Sequence, residues 1–264
     1  MKGGVCPALI LLLCAVPGWS GTAPAPDAAL YAYHEQPGAA LPLHTQLADT
    51  DGRLVRLGDL SGGSPLVLVF GYFHCSSLCG VVRASLLNAM SAARLKAGRD
   101  YTLAMISIDA GETPAQAREA KIADLAAFGG GEAADRYHHY LTGTPQAIAA
   151  VTSAVGFRDR FDAPTRQFVH PAGVVFVTAS GTVSGYLLGV GYTPAAVRSA
   201  VERASAGQIA AAGSPLLLIC FHFDPTTGRY SLEILKVLRL AGLATLLTLG
   251  GTLFLLFRRE RPSS

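Results

Sequence analysis

Two cysteines, Cys75 and Cys79, stand four residues apart in Phe70-Gly-Tyr-Phe-His-Cys75-Ser-Ser-Leu-Cys79-Gly80. The run before them, Pro65-Leu-Val-Leu-Val-Phe70, is continuously apolar, as in a strand buried on both faces, and Val81 to Leu95 is compatible with a helix. The pair therefore falls at a strand-to-helix junction, where outward-pointing N–H groups and the positive end of the helix dipole favour thiolate over thiol. Thiolate is both a soft metal ligand and a redox nucleophile. The i, i+4 spacing sets both sulfurs on one face of a helical turn, near enough to share an ion or, with slight unwinding, to close a disulfide. A purely structural disulfide is the plainer reading, but so short a loop gains little from one.

The elements that must position this pair can be read along the chain. Two short alternating stretches flank Asp49-Thr50-Asp51-Gly52, a hairpin signal, ahead of the strand at Pro65 to Phe70. Tyr101 to Ile108 predicts a second buried strand, and Thr113-Pro114 opens a helix that runs to about Phe128 and is closed by Gly129-Gly130-Gly131. His138 to Leu141 reads as a short strand, Thr144-Pro145 opens a helix through Val155, Gly173 to Thr178 and Val183 to Leu188 form a hairpin, and Thr193-Pro194 caps a last helix to about Ala204. Strands alternating with helices and ending in an antiparallel hairpin predict one α/β domain of thioredoxin type with extra N-terminal strands.

Two thiolates leave a metal site short of a ligand. His170, in Arg166-Gln-Phe-Val-His170-Pro171, is the candidate third, because in thioredoxin-like folds the loop ahead of the hairpin strand faces the start of the cysteine-bearing helix. Taken without the cysteines, it is an ordinary turn residue. Two sulfurs and one imidazole suit copper, with zinc as the other option, better than calcium or magnesium. Asp109, at a strand end, is a supporting group for that site or, more commonly for such a residue, a turn cap. His138 and His139 are neighbours on a strand and face opposite sides, which does not suit a shared ion. Cys220 and His222 point the same way in an extended chain, so a second metal-handling site is one reading of Leu216 to Pro225; a segment resting at a membrane surface is the preferred one.

From about Leu43 to Gly191 these residues resemble the Sco/SenC family: Phe70-Gly-Tyr ahead of C-x-x-x-C, Ile106-Ser-Ile-Asp109 followed by Thr113-Pro114, Leu141-Thr-Gly143, and His170 before an apolar strand. The resemblance implies a membrane-anchored copper chaperone and thiol protein of thioredoxin fold that serves cytochrome c oxidase assembly. It implies copper ligation by Cys75, Cys79 and His170, delivery to a copper-receiving oxidase subunit, and a thiol reductant or copper donor protein as a further partner. The chain departs from well-known members, which carry Pro-Asp inside the cysteine loop and Pro after it, where Ser76, Ser77 and Gly80 stand here; Ala110 replaces a common Pro.

The two ends are of another kind. Lys2, the apolar run Ala8 to Val16 and the small residues that follow have the build of a secretory signal, taken as residues 1–25; a lipoprotein reading of Cys14 is weakened by Leu13 before it. Leu240 to Phe257 is uncharged and long enough to span about 27 Å, and Arg258, Arg259 and Arg261 follow it. The expected organisation is a domain at 26–205, a juxtamembrane segment at 206–236, one C-terminal transmembrane helix at 237–257 and a cytoplasmic tail at 258–264. This places the domain outside the cell inner membrane, on its periplasmic side. The formal charge of +3 over 264 residues comes from the flanks; the domain between them is slightly acidic, which excludes a nucleic-acid partner on electrostatic grounds.

Two functions are compatible with this reading. In the leading one, reduced Cys75 and Cys79 with His170 hold copper and pass it on by ligand exchange, with no substrate turnover. In the other, an extracytoplasmic thiol-disulfide oxidoreductase, Cys75 attacks a partner's disulfide and Cys79 resolves it, and both are then catalytic. A peroxidase lacks an evident peroxide-activating arrangement beside Cys75. His170 separates the first two, since thiol exchange does not need it.

Overall fold

The computed structural model describes residues 32–74, 78–210, 221–224, 229–232, 242–243 and 245–252. At its centre is a five-stranded sheet in the order β5-β4-β3-β8-β9, with β3 (Leu66–Gly71), β4 (Thr102–Ser107) and β5 (His138–Leu141) parallel and β8 (Gly173–Val177) antiparallel to β3. β9 (Val183–Leu188) closes the antiparallel edge after an irregularity at Phe176/Val177. The central strands are buried on both sides, which is why they read as unbroken apolar runs rather than alternating ones.

Side chains alternate between two cores. Val67, Val69, Leu103, Met105, Val174 and Phe176 face α1 (Leu78–Ala92), α2 (Pro114–Phe128) and α5 (Pro194–Ser205). Leu66, Leu68, Phe70, Ile106, Val175 and Val177 face α4 (Pro145–Ala154) and the N-terminal segment. This is the expected thioredoxin-like α/β layering. The N-terminal strands, β1 (Gln46–Ala48) and β2 (Leu54–Arg56), form a separate hairpin whose turn is held by Asp49 Oδ1, which accepts from Asp51 N and Arg53 N; a backbone bridge from Ala48 to Thr142 ties it to the main body.

Three helices start at Thr-Pro as expected. Thr113, Thr144 and Thr193 each accept a backbone N–H of the first turn, and Thr113 forms a reciprocal capping box with Gln116.

Two elements depart from the sequence reading. The triple glycine does not lead directly to β5: Gly130 is the N-cap of a short helix, α3 (Gly131–Tyr137), and all three glycines take positive φ, so the run turns the chain from one helix into the next. A hairpin of β6 (Arg160–Asp162) and β7 (Gln167–Val169) also stands immediately before His170. β10 (Phe221–Asp224) pairs with β11 (Arg229–Leu232) in a further hairpin, with His222 opposite Ser231; Cys220 lies outside the described residues. So does the signal segment 1–25. Residues 245–252 of the C-terminal apolar run are helical, and among the described residues no helix is long and apolar enough to cross a membrane.

Candidate metal and thiol site

Gly71 ends β3, and Tyr72, Phe73 and His74 carry the chain toward α1. Cys75 lies outside the described residues, and Cys79 lies within them by its backbone alone, in the first turn of α1. The three residues before Cys75 are each held by a different part of the fold. Phe73 sets its ring 5.8 Å from that of Tyr140 on β5. Tyr72 turns the other way, against His170 and Phe168, at centroid distances of 6.1 and 5.6 Å.

The third anchor is a carboxylate. Parallel pairing of β3 with β4 sets Gly71 opposite Ser107, so the chain leaving β4 runs beside the chain leaving β3. Glu112 on that second segment is buried, with its side chain 3% exposed. Its Oε2 accepts from Phe73 N at 2.8 Å and from Ser107 Oγ at 2.6 Å, and its Oε1 accepts from His74 N at 2.7 Å. Three donors offset the desolvation of a carboxylate withdrawn from water. The His74 ring, itself 58% exposed, places Nδ1 at 3.4 Å from Oε1. Gln116 faces the other ring nitrogen at 3.4 Å, its amide oriented by the bond from Thr113 N to its Oε1.

Asp109 takes the role of a turn cap, since its Oδ1 accepts from Gly111 N. Glu112 is the acidic residue that reaches the cysteine turn, and sequence reading missed it by treating the segment as a helix start. What brings it there is the parallel adjacency of the two strand ends, which exists only in the assembled sheet.

His170 is half-buried between β7 and β8. Its Nδ1 lies 3.0 Å from the Pro171 carbonyl oxygen, which can only accept, so Nδ1 is the donor of that bond. The imidazole also rests against Phe157, with centroids 5.9 Å apart. Burial pushes the nearby Asp159 carboxyl up. Together these contacts bring the predicted histidine onto the turn that leads into Cys75.

Among the described residues no group of three His, Cys, Asp or Glu side chains could hold a metal ion. His138 is buried, with Nε2 at 2.9 Å from Tyr101 Oη, and burial pushes it and His139 down to about 4. Behind the turn, Arg83 of α1 pairs with Asp124 of α2 at 2.9 Å, and Tyr140 Oη donates to the same carboxylate at 2.7 Å. This fixes the cysteine-bearing helix to its neighbour and to β5.

Residues 35–206 match the model of the family described as SCO1/SenC. The chain is similar to a crystal structure from Aquifex aeolicus VF5, of a protein described as a candidate for electron transfer, with 22% identity and a TM-score of 0.58 over 66% of this chain and 96% of that one. It is similar to a SCO1/SenC family lipoprotein from Bacillus anthracis str. Ames, at 18% identity and a TM-score of 0.52 over 65% and 96% of the two chains. Arabidopsis thaliana ScoI, solved with copper bound, shares 18% identity at a TM-score of 0.49, over 66% of this chain and 98% of that one. At these identities the likeness is one of fold. No curated protein sequence matches the chain.

Proposed function

The chain belongs to the SCO1/SenC family, and from that premise we propose that it is a membrane-anchored copper metallochaperone. Sco proteins from Arabidopsis thaliana and Bradyrhizobium japonicum are solved with copper bound, and the family is described as one of cytochrome c oxidase assembly proteins. In this chain Cys75, Cys79 and His170 are the ligands, copper is the cargo, and the recipient is a copper-accepting oxidase subunit on the same membrane face. The observation that carries the reading is the placement of His170: its Nδ1–H is engaged by the Pro171 carbonyl, and its ring lies against Tyr72, on the turn that leads into Cys75. An ordinary turn histidine needs no such arrangement. A soft donor set of two thiolates and one imidazole fits copper(I) and copper(II) alike, and exchange of one ligand at a time would pass the ion on.

Residues 1–25 would direct export, residues 237–257 would anchor the protein, and Arg258, Arg259 and Arg261 would hold the tail in the cytoplasm, leaving the domain on the periplasmic side of the inner membrane. A thiol reductant or a copper donor protein completes the set of partners.

The test uses the full chain, purified in detergent with its thiols reduced and titrated with copper against a competing chelator. His170→Ala is expected to weaken binding by about tenfold or more, and Cys75→Ser, which leaves Cys79 as the one thiolate ligand, to weaken and shift the thiolate-to-copper absorption. Unchanged affinity and spectrum in His170→Ala would remove the ligand assignment. Failure of the wild type to bind copper, together with efficient reduction of a protein disulfide, would favour the oxidoreductase. There, Cys75 forms the mixed disulfide, Cys79 displaces the partner's thiol, and the dithiol's two electrons pass to the partner.

A further inference from the structure

We infer that Glu112 is a positioning residue for the metal and thiol site: its carboxylate clamps the backbone just ahead of Cys75 and so sets that sulfur relative to Cys79 and His170. The inference rests on the reading of Cys75, Cys79 and His170 as one site.

Two consecutive backbone N–H groups that converge on one point make a concave anion site. Here those groups belong to Phe73 and His74, and the anion is the side chain of Glu112, at 2.8 and 2.7 Å. Ser107, fully buried at the end of β4, adds a hydroxyl donor at 2.6 Å. The carboxylate is therefore filled from three sides and has little freedom to move. Its own backbone is equally fixed, because Glu112 N donates to Asp109 O and the next residue, Thr113, caps α2 through a capping box. The position of His74 is thus referred to two rigid elements, β4 and α2, and Cys75 follows one Cα–Cα step of about 3.8 Å later.

The cysteine loop needs such an external reference. Between Cys75 and Cys79 stand Ser76, Ser77 and Leu78, with no proline, so the loop has no φ fixed by its own covalent structure. Tyr72 secures the side of the turn toward His170, and Phe73 secures the side toward Tyr140. Both contacts leave rotation about the following peptide unit unspecified, and the bond from His74 N to Glu112 removes it. A metal site with three ligands on separate segments gains affinity from each segment that is already in place before the metal arrives.

Glu112→Gln tests this directly. It preserves size but turns one acceptor into an amide donor that opposes a backbone N–H. In the full chain, Glu112→Gln is expected to weaken copper binding by about tenfold or more. It is also expected to lower, by roughly threefold or more, the glutathione equilibrium constant for closing Cys75–Cys79, since the two thiols meet less often. Glu112→Asp keeps two acceptors on a shorter arm and should recover part of both losses. Val201→Ala, which opens the distant core under α5, should lower Tm while leaving both constants within about twofold of wild type, so that instability alone is set apart.

Should Glu112→Gln not fold, Ser107→Ala takes its place, with a smaller loss of the same sign. Wild-type values of both constants in the folded variant overturn the inference. If wild type binds copper through His170 while Glu112→Gln is unchanged, the positioning role falls and the proposed function stands. If wild type binds no copper, the proposed function falls, and the glutathione equilibrium alone decides the role of Glu112.

Discussion

The imidazole of His170 meets the ring of Tyr72 edge-on, with centroids 6.1 Å apart and planes at 74°. This one contact joins the loop ahead of β8 to the turn that leads into Cys75. Tyr72 continues into Phe168, which in turn packs edge-on against Phe161 at 5.2 Å, so the β6–β7 hairpin is drawn onto the same turn. Replacing Tyr72 with Ala removes two aromatic pairs, each worth about 0.5–1.5 kcal/mol beyond its buried area. We expect a loss of about 2 kcal/mol in urea unfolding, together with displaced His170 ring resonances in NMR spectra. Tyr72→Phe should keep both pairs and most of the stability. A His170 spectrum unaltered by Tyr72→Ala would show that the contact is not populated in solution.

The Arg83–Asp124–Tyr140 cluster gives a second, independent expectation. Both charged side chains are mostly buried, at 14% and 12% exposure, and burial together with the Asp124 charge pushes the Tyr140 hydroxyl up. Asp124→Ala strands a buried guanidinium and a phenol, for which a loss of about 3–5 kcal/mol is expected. Tyr140→Phe removes only one hydrogen bond to a charged group and should cost about 1.5–3 kcal/mol. Chemical denaturation of the two variants should rank them in that order; the reverse order would place the main stabilisation on the phenol.

How much of this was legible beforehand follows from what each feature depends on. β3 and β4 announce themselves because both faces are buried, and three Thr-Pro pairs announce helix starts because Thr accepts a free N–H where Pro has none to offer. α3 was hidden because three glycines read as a break, whereas here they are hinges that let Gly131–Tyr137 form a two-turn helix. The β6–β7 hairpin was hidden because its strands have three residues each and its turn lacks glycine, using Arg166 at a φ of 55° instead. Cys75, Cys79 and His170 stand out by chemistry and spacing. Glu112 does not, because its role arises from register, Gly71 opposite Ser107, and register between strands more than thirty residues apart is a property of the assembled sheet.

The capping threonines separate local stability from site geometry. Thr113→Ala and Thr193→Ala each remove an N-cap, and each should cost about 1 kcal/mol. Only Thr113 adjoins Glu112. Thr113→Ala is therefore expected to weaken copper binding, and Thr193→Ala to leave it at the wild-type value. Equal affinity in both variants at equal stability loss would mean that the start of α2 does not transmit its position to the cysteine turn.

Acid stability should be governed in part by the edge strand β5. His138 lies buried against Tyr101, and burial is the main cause that brings it, like His139, from 6.5 down to about 4. A histidine whose folded pKa is depressed binds fewer protons in the native state than in the unfolded one between those values, so its contribution to stability is complete above pH 6.5 and is lost as pH falls toward 4. For His138 alone the full loss is of order 3 kcal/mol, from about 1.4 kcal/mol per pH unit. His138→Gln keeps a hydrogen-bonding partner for Tyr101 and takes up no proton. Urea midpoints measured from pH 7 to pH 4 should therefore fall less steeply in His138→Gln than in wild type, with the residual slope reporting His139 and the carboxylates. Parallel slopes would show that His138 already titrates near its unfolded value, and that Tyr101 and β5 shield it far less than their geometry requires.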